Sequence, residues 1–196
     1  LPGSLFSSPT HLELKAHLAA VLDWVDAEAS NGSGALLGAA DPSSLGLAGH
    51  SMGGKISLLL ASEDARADAI FGVDPVDAGG GPLSSDPVQY PSVTPELMPL
   101  ITVPLVLLGE TTNSTSGLGP ACAPAADNFQ QYYAHAVGPA LEIEVLGAYH
   151  MSFLDNPFVL AGLACPAGTA DPAVTRALTR GYLVAFFEQR LRGDGA

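Results

Sequence analysis

Leu45-Gly46-Leu47-Ala48-Gly49-His50-Ser51-Met52-Gly53-Gly54-Lys55 is the stretch on which the reading of this chain turns. A short apolar run ends in small residues, one serine stands at the centre, and a helical pattern takes over from Lys55 to Ser62. Passing from strand to helix so abruptly forces the central serine into a strained backbone conformation and leaves no room for side chains at Gly49 and Gly53. Such a turn lifts the Ser51 hydroxyl above the sheet edge. It also brings the Met52 N–H to a helix N-terminus, aimed at a developing oxyanion. A dinucleotide-binding turn would need G-x-G-x-x-G, and that spacing is absent.

The flanking pattern supplies an α/β frame. Thr10 and Glu13 form a capping box ahead of Leu14, Leu18, Val21, Leu22 and Val25, which share one helical face. Ala69–Val73, Pro104–Gly109 and Leu141–Leu146 read as further strands, and the continuous apolar run of Pro104–Gly109 fits a parallel strand covered on both faces. Asp127–Ala136 reads as helix. A last helix starts at Asp171 with Pro172 in first position, and Val174, Ala177, Leu178, Leu183, Phe186, Phe187 and Leu191 supply its buried side. The order predicts a mostly parallel sheet flanked by helices. The 196 residues are enough for one sizeable core, and 47% apolar against 14% charged residues is a globular composition.

Set between a strand and a helix, Gly49-His50-Ser51-Met52-Gly53 fits G-x-S-x-G and resembles the nucleophile elbow of the α/β-hydrolases. That resemblance implies the chain order serine, acid, histidine. Of the five histidines (His11, His17, His50, His135 and His150), His135 lies within a helical pattern. His150 follows the last strand in Gly147-Ala148-Tyr149-His150, where a loop can return it to Ser51, so it is the candidate general base. Three carboxylates stand at strand ends as candidate acids: Asp74 first, with Glu110 and Asp77 as alternatives.

Gly49–Lys55, Gly72-Val73-Asp74-Pro75-Val76-Asp77, Tyr149-His150 with Phe153-Leu154-Asp155, and Cys122-Ala123-Pro124 with Asn128-Phe129 together resemble the chlorophyllase-like branch of the α/β-hydrolases. Met52 stands where plant chlorophyllases carry Arg. The resemblance implies a serine carboxylesterase with its acid after the strand that follows the elbow, at Asp74. Platelet-activating-factor acetylhydrolases are similar in that placement. Bacterial cutinases and polyester hydrolases are similar at the elbow but carry their acid one strand later, where this chain reads Gly109-Glu110-Thr111-Thr112-Asn113. The fold normally has strands before the elbow strand, which are expected upstream of this sequence. Residues 1–196 are accordingly expected to be the C-terminal portion of one hydrolase domain.

The expected activity is hydrolysis of apolar esters by Ser51, His150 and Asp74, with Met52 as oxyanion donor and no cofactor or metal. Tyr149 and Phe153 flank His150 on the substrate side. Pro82, Leu83, Val88, Tyr90, Val93, Leu97 and Met98 line a pocket or else cover the core. A cutinase, lipase or polyester hydrolase and a non-catalytic hydrolase-fold binding protein are the alternatives. The partner is a small-molecule or lipid-like ester. With 7 basic against 20 acidic residues, a net charge of −13 repels nucleic acid and anionic membranes. No apolar run is long enough for stable membrane insertion. Cys122 and Cys165 either form one disulfide, which would imply a secreted or periplasmic protein, or remain two buried thiols. Composition and motifs leave the oligomeric state open.

Overall fold

The computed structural model describes residues 9–79, 86–115, 121–157 and 165–193. Four parallel strands, β1 (Gly46–His50), β2 (Ala69–Val73), β3 (Leu105–Glu110) and β4 (Ala140–Val145), form one sheet in the spatial order of the chain. Helices α1 (His11–Ser30) and α2 (Met52–Ala61) cover one face, and α4 (Pro172–Phe187) covers the other. The short α3 (Phe129–Ala134) leads into β4.

Side-chain alternation along the strands builds two apolar layers. Leu47, Ile70, Leu105 and Leu107 pack with Leu22, Ile56, Leu59, Phe129 and Tyr132 on the α1/α2/α3 face. Phe71, Val73, Val106 and Leu108 point the other way, towards Leu183, Phe186 and Phe187 of α4. β2 and β3 are buried on both faces, as the apolar run of β3 predicts.

Several boundaries and faces differ from the sequence expectation. α2 starts at Met52, directly after the serine, because Gly53 and Gly54 join its first turn. α3 is shorter than Asp127–Ala136, since the Asn128 side chain accepts from the Gln130 N–H and caps it. In α1 the capping box of Thr10 and Glu13 is present, but Val21 faces solvent and the inward stripe runs through His11, Leu14, Leu18 and Leu22. In α4, Val174, Ala177 and Leu178 face outward while Thr175 and Thr179 are buried. Their hydroxyls donate to the carbonyls of Asp171 and Thr175, which lets a threonine stripe pass as core. Val93 and Met98 belong to the core rather than to a pocket, Tyr90 packs edge-on against the His11 ring, and Val88 is exposed. Pro82 and Leu83 lie outside the described residues.

A charged pair sits inside this core. The Lys55 ammonium and the Asp77 carboxylate are 3.1 Å apart with no side-chain exposure. Lys55 also donates to the carbonyls of Asp77 and Ala78. Burial works to raise the Asp77 carboxyl, but the Thr94 and Val93 amides, the Ser92 hydroxyl and Lys55 outweigh it and hold the group below its ordinary value. Asp77 thereby fastens the segment after β2 onto α2.

Cys122 and Cys165 are joined as a disulfide, with Cα atoms 5.5 Å apart, and tie the loop after β3 to the segment before α4. Among the described residues, no helix is long and apolar enough to cross a membrane.

Asp77→Ala is expected to cost about 3–5 kcal/mol of stability, because it strands a buried ammonium; urea unfolding checks this. Reduction of the Cys122–Cys165 bridge is expected to lower stability by roughly 2–4 kcal/mol, since it frees a long loop in the unfolded chain; a melting temperature unchanged by reductant would contradict it.

Candidate active site

Three strand ends lie side by side. The register pairs His50 with Val73 and Val73 with Leu108, so the residues that leave β1 and β2, Ser51 and Asp74, emerge together at the C-terminal edge of the sheet. The ladder extends past both: the Ser51 N–H donates to the Val73 carbonyl at 3.0 Å, and the Asp74 N–H donates to the Leu108 carbonyl at 2.5 Å. Ligands of open parallel sheets gather at this edge.

Both residues carry positive φ, 55° at Ser51 and 45° at Asp74, and they are the non-glycine residues with that conformation among those described. An L-residue held there is strained, and the surrounding ladder and packing maintain it. The glycines around Ser51 divide the steric work differently from the sequence expectation. A Cβ on Gly49 would come within 2.3 Å of the Gly53 backbone, so Gly49 is required. A Cβ on Gly53 meets no described atom within 4 Å, whereas one on Gly54 would press against the Gly49 carbonyl oxygen at 2.8 Å. Met52 opens α2, so its N–H belongs to the helix's unpaired first turn, at the positive end of the dipole.

His150 arrives from the far side of the sheet. After β4 the chain turns at Gly147, with φ 73°, where a Cβ would also collide with the Thr169 hydroxyl at 2.4 Å. A single 3₁₀ turn, His150–Phe153, follows. The imidazole is buried between its two partners. Its Nδ1 lies 2.6 Å from Asp74 Oδ2, and its Nε2 lies 2.9 Å from Ser51 Oγ. A carboxylate accepts only, so Nδ1 carries the proton and Nε2 is the acceptor for the serine hydroxyl. Asp74 is fully buried and also accepts from the Glu110 N–H at 3.3 Å.

The other two carboxylates are committed elsewhere. Asp77 is paired with Lys55 and accepts from Ser92, Val93 and Thr94. Glu110 lies beside the site but turns one carboxylate oxygen onto the Thr112 and Asn113 N–H groups, the latter at 2.6 Å. Its other oxygen is buried without a partner, and burial raises the carboxyl above its ordinary range.

Tyr149 is half-buried and holds the turn through its backbone, accepting from Ser152. Phe153 packs on the α4-side core, with its ring 6.0 Å from that of His50. Sequence reasoning overlooked His50 and Asn113, which both hydrogen-bond the His150 backbone. His50 was visible only as the variable position of the elbow motif. Asn113 had no signal beyond its place after a strand. Among the described residues, His50, Asp74 and His150 form the one group of metal-capable side chains close enough to share an ion. Their donor atoms are engaged in the hydrogen bonds described, a pattern suited to moving a proton.

The model of the chlorophyllase family matches residues 4–196. Chlorophyllase-1 of Arabidopsis thaliana is 28% identical over 169 residues, covering 76% of this chain and 50% of that protein. Chlorophyllase type 0 of Chenopodium album is 31% identical over 173 residues, covering 79% of this chain and 46% of that protein. The chain thus spans about half the length of the curated relatives it matches. Among solved structures, a ferulic acid esterase from Streptomyces cinnamoneus superposes with a TM-score of 0.67 at 22% identity, over 98% of this chain and 52% of that one. This likeness establishes the α/β-hydrolase fold. With strand order, elbow and the family match in agreement, the chain belongs to the chlorophyllase family of α/β-hydrolases.

Proposed function

We propose that the protein is a serine carboxylic ester hydrolase in which Ser51 is the nucleophile, His150 the general base and Asp74 the acid that orients it. The observation that carries this reading is the unbroken line of hydrogen bonds from Ser51 Oγ through the His150 ring to Asp74. As Oγ attacks an ester carbonyl, His150 Nε2 takes its proton. The imidazolium that forms keeps its Nδ1–H on the Asp74 carboxylate, which stabilises it without accepting the proton. The Met52 N–H, at the head of α2, stabilises the oxyanion of the tetrahedral intermediate. The leaving alcohol takes the proton back from Nε2. Water then repeats the sequence against the acyl-enzyme and frees the acid.

Relatives named for chlorophyll and for ferulic acid support a carboxylic ester as substrate. Tyr149 and Phe153, which flank His150 in the chain and stay partly exposed, favour one with an apolar portion. The disulfide is in keeping with an oxidising compartment.

A fluorophosphonate probe is expected to label Ser51 in the natural full-length protein and to leave Ser51→Ala unlabelled. Asp74→Asn is expected to lower kcat by roughly 10³–10⁴-fold, since the amide favours the wrong imidazole tautomer. Glu110→Gln retains the acceptor for the Thr112 and Asn113 amides and is expected to change kcat little. Hydrolysis of p-nitrophenyl butyrate measures both; a Glu110→Gln loss as deep as that of Asp74→Asn would move the acid to Glu110.

A further inference from the structure

β4 is separated from β2 by β3, and from β1 by β2 and β3. His150 must therefore reach across the sheet edge on a loop, beyond any ladder that would fix it, and meet two partners at once. The 3₁₀ turn that carries it is secured mainly by Ser152, whose N–H donates to the Tyr149 carbonyl at 2.8 Å. That bond fixes the shape of the turn but not its place above β1 and β2. Two further hydrogen bonds reach the His150 backbone from elsewhere. Its N–H donates to Asn113 Oδ1 at 2.9 Å, and its carbonyl accepts from His50 Nε2–H at 2.9 Å.

Both partners are themselves immobilised. Asn113 is buried, and its own N–H donates to Glu110 Oε2. Its Nδ2 donates to the Pro166 carbonyl at 2.9 Å, and its carbonyl accepts from the Ala123 N–H at 3.3 Å. Pro166 and Ala123 adjoin Cys165 and Cys122, so the disulfide closes the frame around Asn113. The amide orientation is dictated by its partners: the His150 N–H needs an acceptor and the Pro166 carbonyl needs a donor, and a flipped amide would lose both bonds. His50 precedes Ser51 and rides on the elbow itself. Burial, and then the neighbouring His150, push its imidazole down to about 4, so it is neutral at ordinary pH with a single N–H. The His150 carbonyl draws that proton to Nε2. The two imidazole centroids are 4.7 Å apart.

We propose that His50 and Asn113 are positioning residues that form a two-point clamp on the His150 backbone, keeping its imidazole within reach of Ser51 and Asp74 together. The inference rests on the Ser51–His150–Asp74 reading and extends it. The clamp couples base to nucleophile: the residue before Ser51 grips the carbonyl of His150, so a displacement of the elbow carries the base with it. Asn113 transmits the frame of Glu110 and the disulfide to the opposite side.

The test compares His50→Phe, which keeps an aromatic ring but has no N–H, with His50→Gln, which restores a donor near the same place. Asn113→Leu and Asn113→Asp form the matching pair, the aspartate retaining the acceptor for the His150 N–H. In the natural full-length protein, kcat and KM for p-nitrophenyl butyrate, the urea midpoint and the rate of fluorophosphonate labelling of Ser51 are measured. His50→Phe and Asn113→Leu are expected to lower kcat and the labelling rate by about 10- to 100-fold with KM nearly unchanged, the scale expected for a misplaced base. His50→Gln and Asn113→Asp are expected to recover most of that loss. Equal losses in both members of each pair, or full kcat in His50→Phe and Asn113→Leu, overturn the clamp. Should Asn113→Leu fail to fold, the His50 pair decides alone. A parent protein that takes up no probe at Ser51 defeats the underlying reading and the clamp with it. A parent that labels, with variants that label equally fast, leaves the reading intact and removes the clamp.

Discussion

The parallel ladder that sets His50 beside Val73 and Val73 beside Leu108 is the constraint from which the site follows. Because β1 and β2 end level, the next residue of each, Ser51 and Asp74, leaves the sheet at the same height. Both do so in the left-handed region, which turns the chain sharply off the strand. Neither conformation is favourable alone. Each is held because the N–H of the turning residue still donates to the neighbouring strand, to Val73 from Ser51 and to Leu108 from Asp74.

The Asp-Pro-Val-Asp stretch divides two carboxylates between two tasks. Asp74 faces the imidazole at the sheet edge, while Asp77, three residues on, turns into the α1/α2 side and pairs with Lys55. Both are buried, and an isolated charge in either place would be costly. Each is compensated differently: Asp74 by the His150 ring and the Glu110 N–H, Asp77 by an ammonium and the donors of residues 92–94. One segment thus shapes the site and anchors it to the helix that follows the serine.

The local signals were readable because they are local. Gly49, Ser51 and Gly53, set between an apolar run and a helical pattern, announce a strand-to-helix turn, though it is Gly54 rather than Gly53 whose Cβ the turn excludes. Thr10 with Glu13 and Asp171 with Pro172 mark their helix starts, and the apolar run at β3 announces a doubly covered strand. Periodicity was a poorer guide to which helix face is buried. Val174 and Leu178 look like core in one dimension, but Thr175 and Thr179 occupy that place, because back-bonded hydroxyls leave little unmet polarity. Lys55 gave no sign of burial either, since its partner Asp77 is distant in the chain and meets it only after β2 has been laid beside β1.

The sequence by itself determined the class of fold, the position of the turning serine and the histidine delivered after the last strand, since these depend on backbone preferences and chain order. Three carboxylates follow strands; the resemblance carried by Asp74-Pro75-Val76-Asp77 ranks Asp74 first, but local chemistry leaves Glu110 and Asp77 able to meet an imidazole. Tertiary structure decided among them, bringing Asp74 to His150, Asp77 to Lys55 and Glu110 to two amides. It also recruited His50 and Asn113 to the backbone of His150. The physical reason is distance along the chain: a hydrogen bond between groups about a hundred residues apart, such as that of His150 with Ser51 or His50, exists only once a sheet has set their elements side by side.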